Sequence, residues 1–359
     1  MDLLNDWPEP IVPVQSLAES GTSVLPDRYV KPPSERPSVD PAADRGEHIS
    51  IPVIDFAGLT KGMAEWRATM RLVSDACREW GFFQVVNHGV SVDLVARMRK
   101  VWRDFFDLPM EEKRKLANSP KTYEGYGSRV GVEKGATLDW GDYFFLHLLP
   151  PSIKDYNKWP SLPTSCREVT EEYCQELVKL CETVMKVLST GLGLDAGFLQ
   201  KAFGGEDVGA CMRVNFYPRC PQPDLALGLS AHSDPGGLTV LLADDHVKGL
   251  QVRRGNAWVT VQPVPNAFIV NIGDQIQVLS NANYKSVEHR VITNATEERL
   301  SVALFYNPRS DLPLGPAREL VTEERLQLYQ PMTFSEYRLY IRKKGLQGKA
   351  QVESLKATN

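Results

Sequence analysis

Apolar positions recur at helical spacing in three stretches of the chain. Met63, Trp66, Met70, Val73, Cys77 and Trp80 stand three or four apart and predict a helix over 63–80, stopped by Gly81. A second pattern covers 91–108 and closes at Pro109. A third spans 166–193 through Val169, Tyr173, Leu177, Leu180, Val184 and Leu188. Strand-like runs stand at 51–55 and 82–86, the latter ended by Asn87-His88-Gly89. From 210 onward, short runs of Val, Ile, Leu, Phe and Tyr are broken by Gly, Pro, Asn and Asp. Those at 212–217, 238–242, 258–261, 267–272 and 301–306 suggest a β-sandwich or jelly roll. A last helix begins near Thr333, which has capping-box spacing to Glu336, and Gly345 marks its end.

Charge narrows the function. The 359 residues carry 41 Lys and Arg against 45 Asp and Glu, a net charge of -4. That argues against a nucleic-acid or anionic-membrane binder. No stretch approaches the ~20 apolar residues that span a bilayer. The acidic, proline-containing start does not read as a signal or transit peptide. Six cysteines without C-x-x-C spacing are read as reduced thiols. A cytoplasmic protein is expected, with nuclear access open at this size, and the Asn294-Ala295-Thr296 sequon is then a chance match. Residues 26–50, rich in Pro, Ser and charge, are expected to form an extended arm or a mobile linker.

The chemistry concentrates in the β-rich half. His232-Ser233-Asp234 adjoins a predicted strand, and on an extended segment residues i and i+2 share a face. His232 and Asp234 can therefore approach one ion, and His289, carried by another extended run, is the best third ligand. Two imidazoles and one carboxylate form the facial arrangement of non-haem Fe(II) oxygenases, with positions left open. His48, His88, His147 and His246 lack such context, and His88 is expected to be structural. Arg299 and Ser301 share a face downstream. A guanidinium and a hydroxyl suit the distal carboxylate of a dicarboxylic acid whose other end chelates iron. Asn215 and Tyr217 share a face upstream. Each motif is common alone; their order across one segment is specific.

On these residues the chain resembles the plant 2-oxoglutarate- and Fe(II)-dependent dioxygenases. The resemblance covers about 51–310, through Gly81-Phe82-Phe83-Gln84-Val85-Val86-Asn87-His88-Gly89, Asn215-Phe216-Tyr217-Pro218, His232-Ser233-Asp234, Asn271-Ile272-Gly273-Asp274, His289-Arg290 and Arg299-Leu300-Ser301. It implies a mixed α/β fold with a double-stranded β-helix (jelly-roll) core flanked by helices. It implies iron held by His232, Asp234 and His289, and 2-oxoglutarate held by Arg299 and Ser301 with Tyr217 and Asn215. It also implies O2 as the second co-substrate and ascorbate maintaining the metal. The expected organisation is an arm or linker (1–50), an N-terminal dioxygenase region (51–165), a helical connection (166–204), the jelly roll (205–310) and a C-terminal helical segment closing the pocket (311–359).

The N-terminal run from Asp6 to Ser20, with Leu25-Pro26-Asp27-Arg28-Tyr29-Val30-Lys31-Pro32, resembles the jasmonate-induced oxygenases. This implies hydroxylation of jasmonic acid at C-12, which lowers active jasmonate and defence signalling. Independently, Phe334, Arg338 and Arg342 stand four apart and make one stripe on the last predicted helix. A stripe of this kind is usually a solvated face. Folded over the mouth of the jelly roll, it would present two cations to an acid. Arg213, a charge within an apolar strand, calls for a partner. The resemblance implies Arg213, Arg338 and Arg342 as polar contacts and Phe145, Phe305 and Phe334 as an apolar wall. The alternatives are a flavonoid dioxygenase (anthocyanidin synthase or flavonol synthase type) and a non-catalytic binding protein on the same scaffold. The complete ligand set speaks against the second. No nucleic acid or membrane partner is expected, and the sequence leaves the oligomeric state open.

Overall fold

The computed structural model describes residues 7–37 and 50–356. Among them the helices are α1 (Val14–Glu19), α2 (Met63–Glu79), α3 (Val92–Phe106), α4 (Met110–Arg114), α5 (Cys166–Gly191), α6 (Phe198–Ala202), α7 (Asp274–Leu279), α8 (Phe334–Lys344) and α9 (Ala350–Ser354). The strands are β1 (Val53–Asp55), β2 (Phe82–Val86), β3 (Gly125–Gly127), β4 (Asp142–Leu149), β5 (Gly209–Tyr217), β6 (Leu227–His232), β7 (Leu238–Leu242), β8 (Leu250–Arg254), β9 (Ala257–Thr260), β10 (Phe268–Ile272), β11 (His289–Ile292), β12 (Arg299–Asn307), β13 (Pro313–Leu314) and β14 (Met332–Thr333).

Eight strands form one sheet in the order β1-β2-β10-β7-β12-β5-β4-β3, and β6-β11-β8-β9 form the second. The large sheet runs through the boundary expected near residue 165, since β1 to β4 pair into it. Alternation along its strands sets two faces. Phe144, Leu146, Val214, Phe216, Val240, Val302 and Leu304 point to one side and pack on Val101, Trp102, Leu177 and Val184 of α3 and α5. Each such burial contributes ~1.5–3 kcal/mol. The intervening residues point between the two sheets, where a cavity is lined by both.

The long helices fall where the apolar periodicity put them. Pro109 ends one pattern and then stands at the N-cap position of the unforeseen α4, without a side-chain capping bond. The part of the N-terminal arm within the described residues is packed against the body. The peptide N–H groups of Val14 and Gln15 donate to the carboxylate of Asp142, at 2.8 and 2.9 Å. Val14, Leu25 and Tyr29 bury against Leu138 and Trp140. Residues 38–49, with His48 and about half of the expected linker, lie outside the described residues. All six cysteines are free, and five are buried. No helix among the described residues is long and apolar enough to cross a membrane.

Candidate active site

β6 and β11 are antiparallel neighbours, and His289 stands directly opposite His232. Strand pairing thus brings together two imidazoles far apart in sequence, with ring centroids 4.3 Å apart. Asp234 does not continue the strand. β6 ends at His232, and Asp234 lies in the following turn. Its carbonyl accepts from the N–H of Asp274 at 2.8 Å, and that of Gly236 from Gln275 at 2.9 Å. The i, i+2 argument therefore named a pair that the structure brings together, on a different local backbone. The Nε2 atoms of His232 and His289 lie 3.5 and 3.6 Å from Oδ1 of Asp234, and all three residues are buried.

The protonation pattern fits a divalent metal. Nδ1 of His232 lies 2.8 Å from the Ser230 carbonyl and Nδ1 of His289 lies 3.2 Å from that of Val287. A carbonyl can only accept, so Nδ1 carries the proton and the Nε2 lone pairs face Asp234. Burial, and then the neighbouring His232, pushes His289 down to about 4, which keeps a neutral ligand near pH 7. Oδ2 of Asp234 accepts from Thr239 Oγ1 at 2.5 Å and Asn271 Nδ2 at 2.7 Å, leaving Oδ1 for an ion. Burial opposes ionisation of Asp234. The two imidazoles and Thr239 outweigh it and hold the carboxyl below its usual range. Two nitrogens and one oxygen on one side of an ion suit iron(II) with open positions.

Beside this centre, Arg299 and Ser301 pair with Tyr217 and Asn215 across β12 and β5. All four line the inner cavity with the three candidate ligands. Nη1 of Arg299 donates to Ser301 Oγ at 3.3 Å, and its guanidinium lies 5.3 Å from the Tyr217 ring centre. Arg299 is 4% exposed, and its Nε has no hydrogen-bond partner among the described residues. A buried guanidinium so arranged is suited to a carboxylate guest.

An outer cavity of about 170 Å³ adjoins the centre and includes His232 and Asp234 in its wall. Helix α8 runs along it. Its Thr333–Glu336 capping box is formed in both directions, and Gly345 (φ 76) ends it, as the sequence pattern expects. Phe334, Arg338 and Arg342 line the cavity together with Phe145, Phe305 and Arg213. The stripe that composition alone would leave to solvent therefore faces the chemistry. Among the described residues none of the three arginines pairs with a carboxylate. Arg338 donates to Ser310 Oγ at 3.0 Å and Arg342 to the Lys121 carbonyl at 3.2 Å. Burial, and then Arg342, lowers the pKa of Arg338.

The sequence reading missed His147, which shares the pocket face of β4 with Phe145 and lines the same cavity. Its ring lies 5.1 Å from that of Phe145. Spacing to Phe145 was a possible signal, but the uniformly apolar run around it hides the alternation. Asn271 and Thr239, which orient Asp234, were also without an assigned role. His88, expected to be structural, has its Nε2 2.9 Å from the Asn266 carbonyl.

Comparison with known proteins agrees with this geometry. Residues 208–308 match the 2OG-Fe(II) oxygenase superfamily, and residues 51–162 match the N-terminal region described as non-haem dioxygenase in morphine synthesis. The chain is similar to Jasmonate-induced oxygenase 1 of Arabidopsis thaliana, with 61% identity over 97% of this chain and 87% of that protein. It is 40% identical to Flavanone 3-dioxygenase 2 of Oryza sativa subsp. japonica, over 90% of this chain and 92% of that one. A crystal structure of JOX2 in complex with 2OG, Fe and JA superposes with a TM-score of 0.92 at 59% identity, covering 99% of this chain and all of that one. The double-stranded β-helix, the two-histidine, one-carboxylate centre and the full-length similarity converge: the chain belongs to the 2OG-Fe(II) oxygenase superfamily, among the jasmonate-induced oxygenases, and is a 2-oxoglutarate-dependent dioxygenase.

Proposed function

We propose that the protein hydroxylates jasmonic acid at C-12, consuming O2 and 2-oxoglutarate and releasing succinate and CO2. The observation that carries this reading is the outer cavity, where Arg213, Arg338 and Arg342 meet an apolar wall of Phe145, Phe305 and Phe334 beside the candidate metal centre. A monocarboxylic acid with an apolar tail matches both halves. A neutral flavonoid would leave three half-buried guanidiniums without an anion. The similarity to JOX2, whose crystal complex contains JA, supports the same substrate.

In this reading His232, Asp234 and His289 hold iron(II), which with bound 2-oxoglutarate supplies the O2-activating chemistry. Arg299 and Ser301 fix the distal carboxylate of 2-oxoglutarate, and Tyr217 and Asn215 complete its walls. The three arginines hold the carboxylate of the substrate. The phenylalanines exclude water and direct the tail towards the metal, so that C-12 is presented to it. Ascorbate keeps the metal ferrous between turnovers. By removing a hormone precursor, the enzyme lowers active jasmonate and dampens defence signalling.

The deciding experiment loads purified protein anaerobically with Fe(II) and 2-oxoglutarate, admits air and jasmonic acid with ascorbate present, and identifies products by mass spectrometry. A product that gains one oxygen at C-12, with one succinate per product, is expected. Succinate without oxidised jasmonate would refute the substrate and direct attention to flavonoids.

A further inference from the structure

We infer that Asp274 is a positioning residue: it holds the helix that faces the substrate in register with the turn that carries the metal-binding carboxylate. The inference rests on the reading above, in which Arg338 and Arg342 take the carboxylate of the substrate.

Asp274 opens α7 and is 1% exposed. Its N–H and that of Gln275 donate to carbonyls of the turn after His232, as described. Its side chain then does something separate. Oδ2 accepts from Ser233 Oγ at 3.1 Å and from the Tyr337 hydroxyl at 2.6 Å. Ser233 stands between the candidate ligands His232 and Asp234. Tyr337 immediately precedes Arg338 and is itself buried. One oxygen atom therefore joins α8 to the metal turn. The other oxygen, Oδ1, has no hydrogen-bond partner among the described residues.

The chain beyond α8 adds a backbone tie to the same place. The N–H of Gly348 donates to the Ala231 carbonyl at 2.9 Å, and the N–H of Ser233 to the Gly348 carbonyl at 3.2 Å. The exit of β6 is thus gripped by one side-chain bridge and one backbone bridge, both from the C-terminal segment. The bonds that α8 makes through Arg338 to Ser310 and through Arg342 to Lys121 lie at the cavity rim and reach neither metal-turn residue. A small shift of α8 would move the bound tail relative to the metal, and misplacement by ~1 Å can cost ~100-fold in rate.

The test compares Tyr337→Phe, Asp274→Asn and, as a control, Tyr329→Phe. Tyr329 belongs to the same buried cluster as Tyr337, but its hydroxyl accepts from Gln277 and does not reach Asp274. Wild-type turnover of jasmonic acid checks the functional reading by itself. Hydrogen exchange on the metal-free chain checks the bridge whatever the substrate. Tyr337→Phe is expected to reduce protection in 334–344 and 232–237 together, to raise succinate formed per hydroxylated product several-fold, and to raise KM for jasmonic acid about tenfold. Mn(II) affinity should stay within about twofold. Asp274→Asn should also weaken Mn(II) binding. Equal loss of protection in Tyr329→Phe and Tyr337→Phe, or unchanged protection of 232–237 in Tyr337→Phe, would overturn the inference.

Discussion

The guanidinium of Arg213 lies 4.0 Å from the centre of the Tyr143 ring, and among the described residues its Nε has no hydrogen-bond partner. Arg213 sits on β5 opposite Phe145 of β4 and Ala303 of β12. It lines both the inner and the outer cavity. The ring holds the cation in place without neutralising it, leaving its donors for an anion. Arg213→Met should raise KM for jasmonic acid ~10- to 100-fold with Mn(II) affinity unchanged. Arg213→Lys should restore little of this, because an ammonium cannot reproduce a stacked planar fork. Steady-state kinetics with metal titration checks both.

The carboxylate of Asp234 owes its orientation to Asn271 as much as to its own turn. Asn271→Ala removes the 2.7 Å bond to Oδ2 and lets the carboxylate rotate. Metal affinity should fall ~10- to 100-fold, read by Mn(II) titration, with the fold intact by circular dichroism. Unchanged affinity would show that Thr239 suffices.

Much of this is legible in the sequence, and the physical reason is strand periodicity. His-x-Asp, the later His and Arg-x-Ser lie on short runs flanked by turn residues, and β12 shows the alternation directly. Arg299, Ser301 and Phe305 face the cavity while Leu300, Val302 and Leu304 enter the core. β4 was not legible, because 143–149 is nearly all apolar and both faces look alike. The direction of α8 was not legible either. Its Arg-rich face resembles a solvated one until the tertiary fold closes it over the jelly roll. The docking of α1 depends on Asp142, distant in sequence, which no local pattern announces.

His147 gives a pH-dependent signal. Burial, then the guanidiniums of Arg338 and Arg342, takes it from an ordinary 6.5 to about 4. Between these values the unfolded chain binds a proton that the folded chain does not. Its contribution to stability is therefore present above pH ~6.5 and lost as pH falls towards ~4. The melting temperature of wild type should accordingly fall relative to that of His147→Asn as pH drops from ~6.5 towards ~4. NMR titration of the ring should also show its pKa rising when jasmonic acid offsets the two arginines. A ring titrating near 6.5 in the free protein would contradict this.

The cap of α8 allows the helix to be loosened without touching the cavity. Thr333 accepts from the Glu336 N–H at 3.3 Å, and Glu336 reaches back to the Thr333 N–H at 3.1 Å. Thr333→Ala should cost ~1 kcal/mol of stability by thermal or urea unfolding. KM for jasmonic acid should rise more than KM for 2-oxoglutarate, because the arginines ride on this helix and Arg299 does not.

Arg299 separates function from stability most sharply. It is a fully desolvated guanidinium, with its Nη1 on Ser301 and no carboxylate in salt-bridge contact among the described residues. Asp244, the nearest acidic influence on it, is already engaged by the N–H groups of Leu300, His246 and Val247. Without 2-oxoglutarate the charge is a burden on the fold, since a buried ion without a counter-ion is unfavourable. Arg299→Met keeps most of the side-chain volume and removes that burden. The metal-free variant should melt no lower than wild type. Affinity for 2-oxoglutarate should nevertheless fall at least ~100-fold, because a charge-assisted, two-point carboxylate contact disappears. Thermal shift with and without 2-oxoglutarate reads both effects in one experiment. The wild type should be stabilised by the ligand and the variant should not. A variant that melts well below wild type in the absence of ligand would mean that Arg299 is a structural residue first.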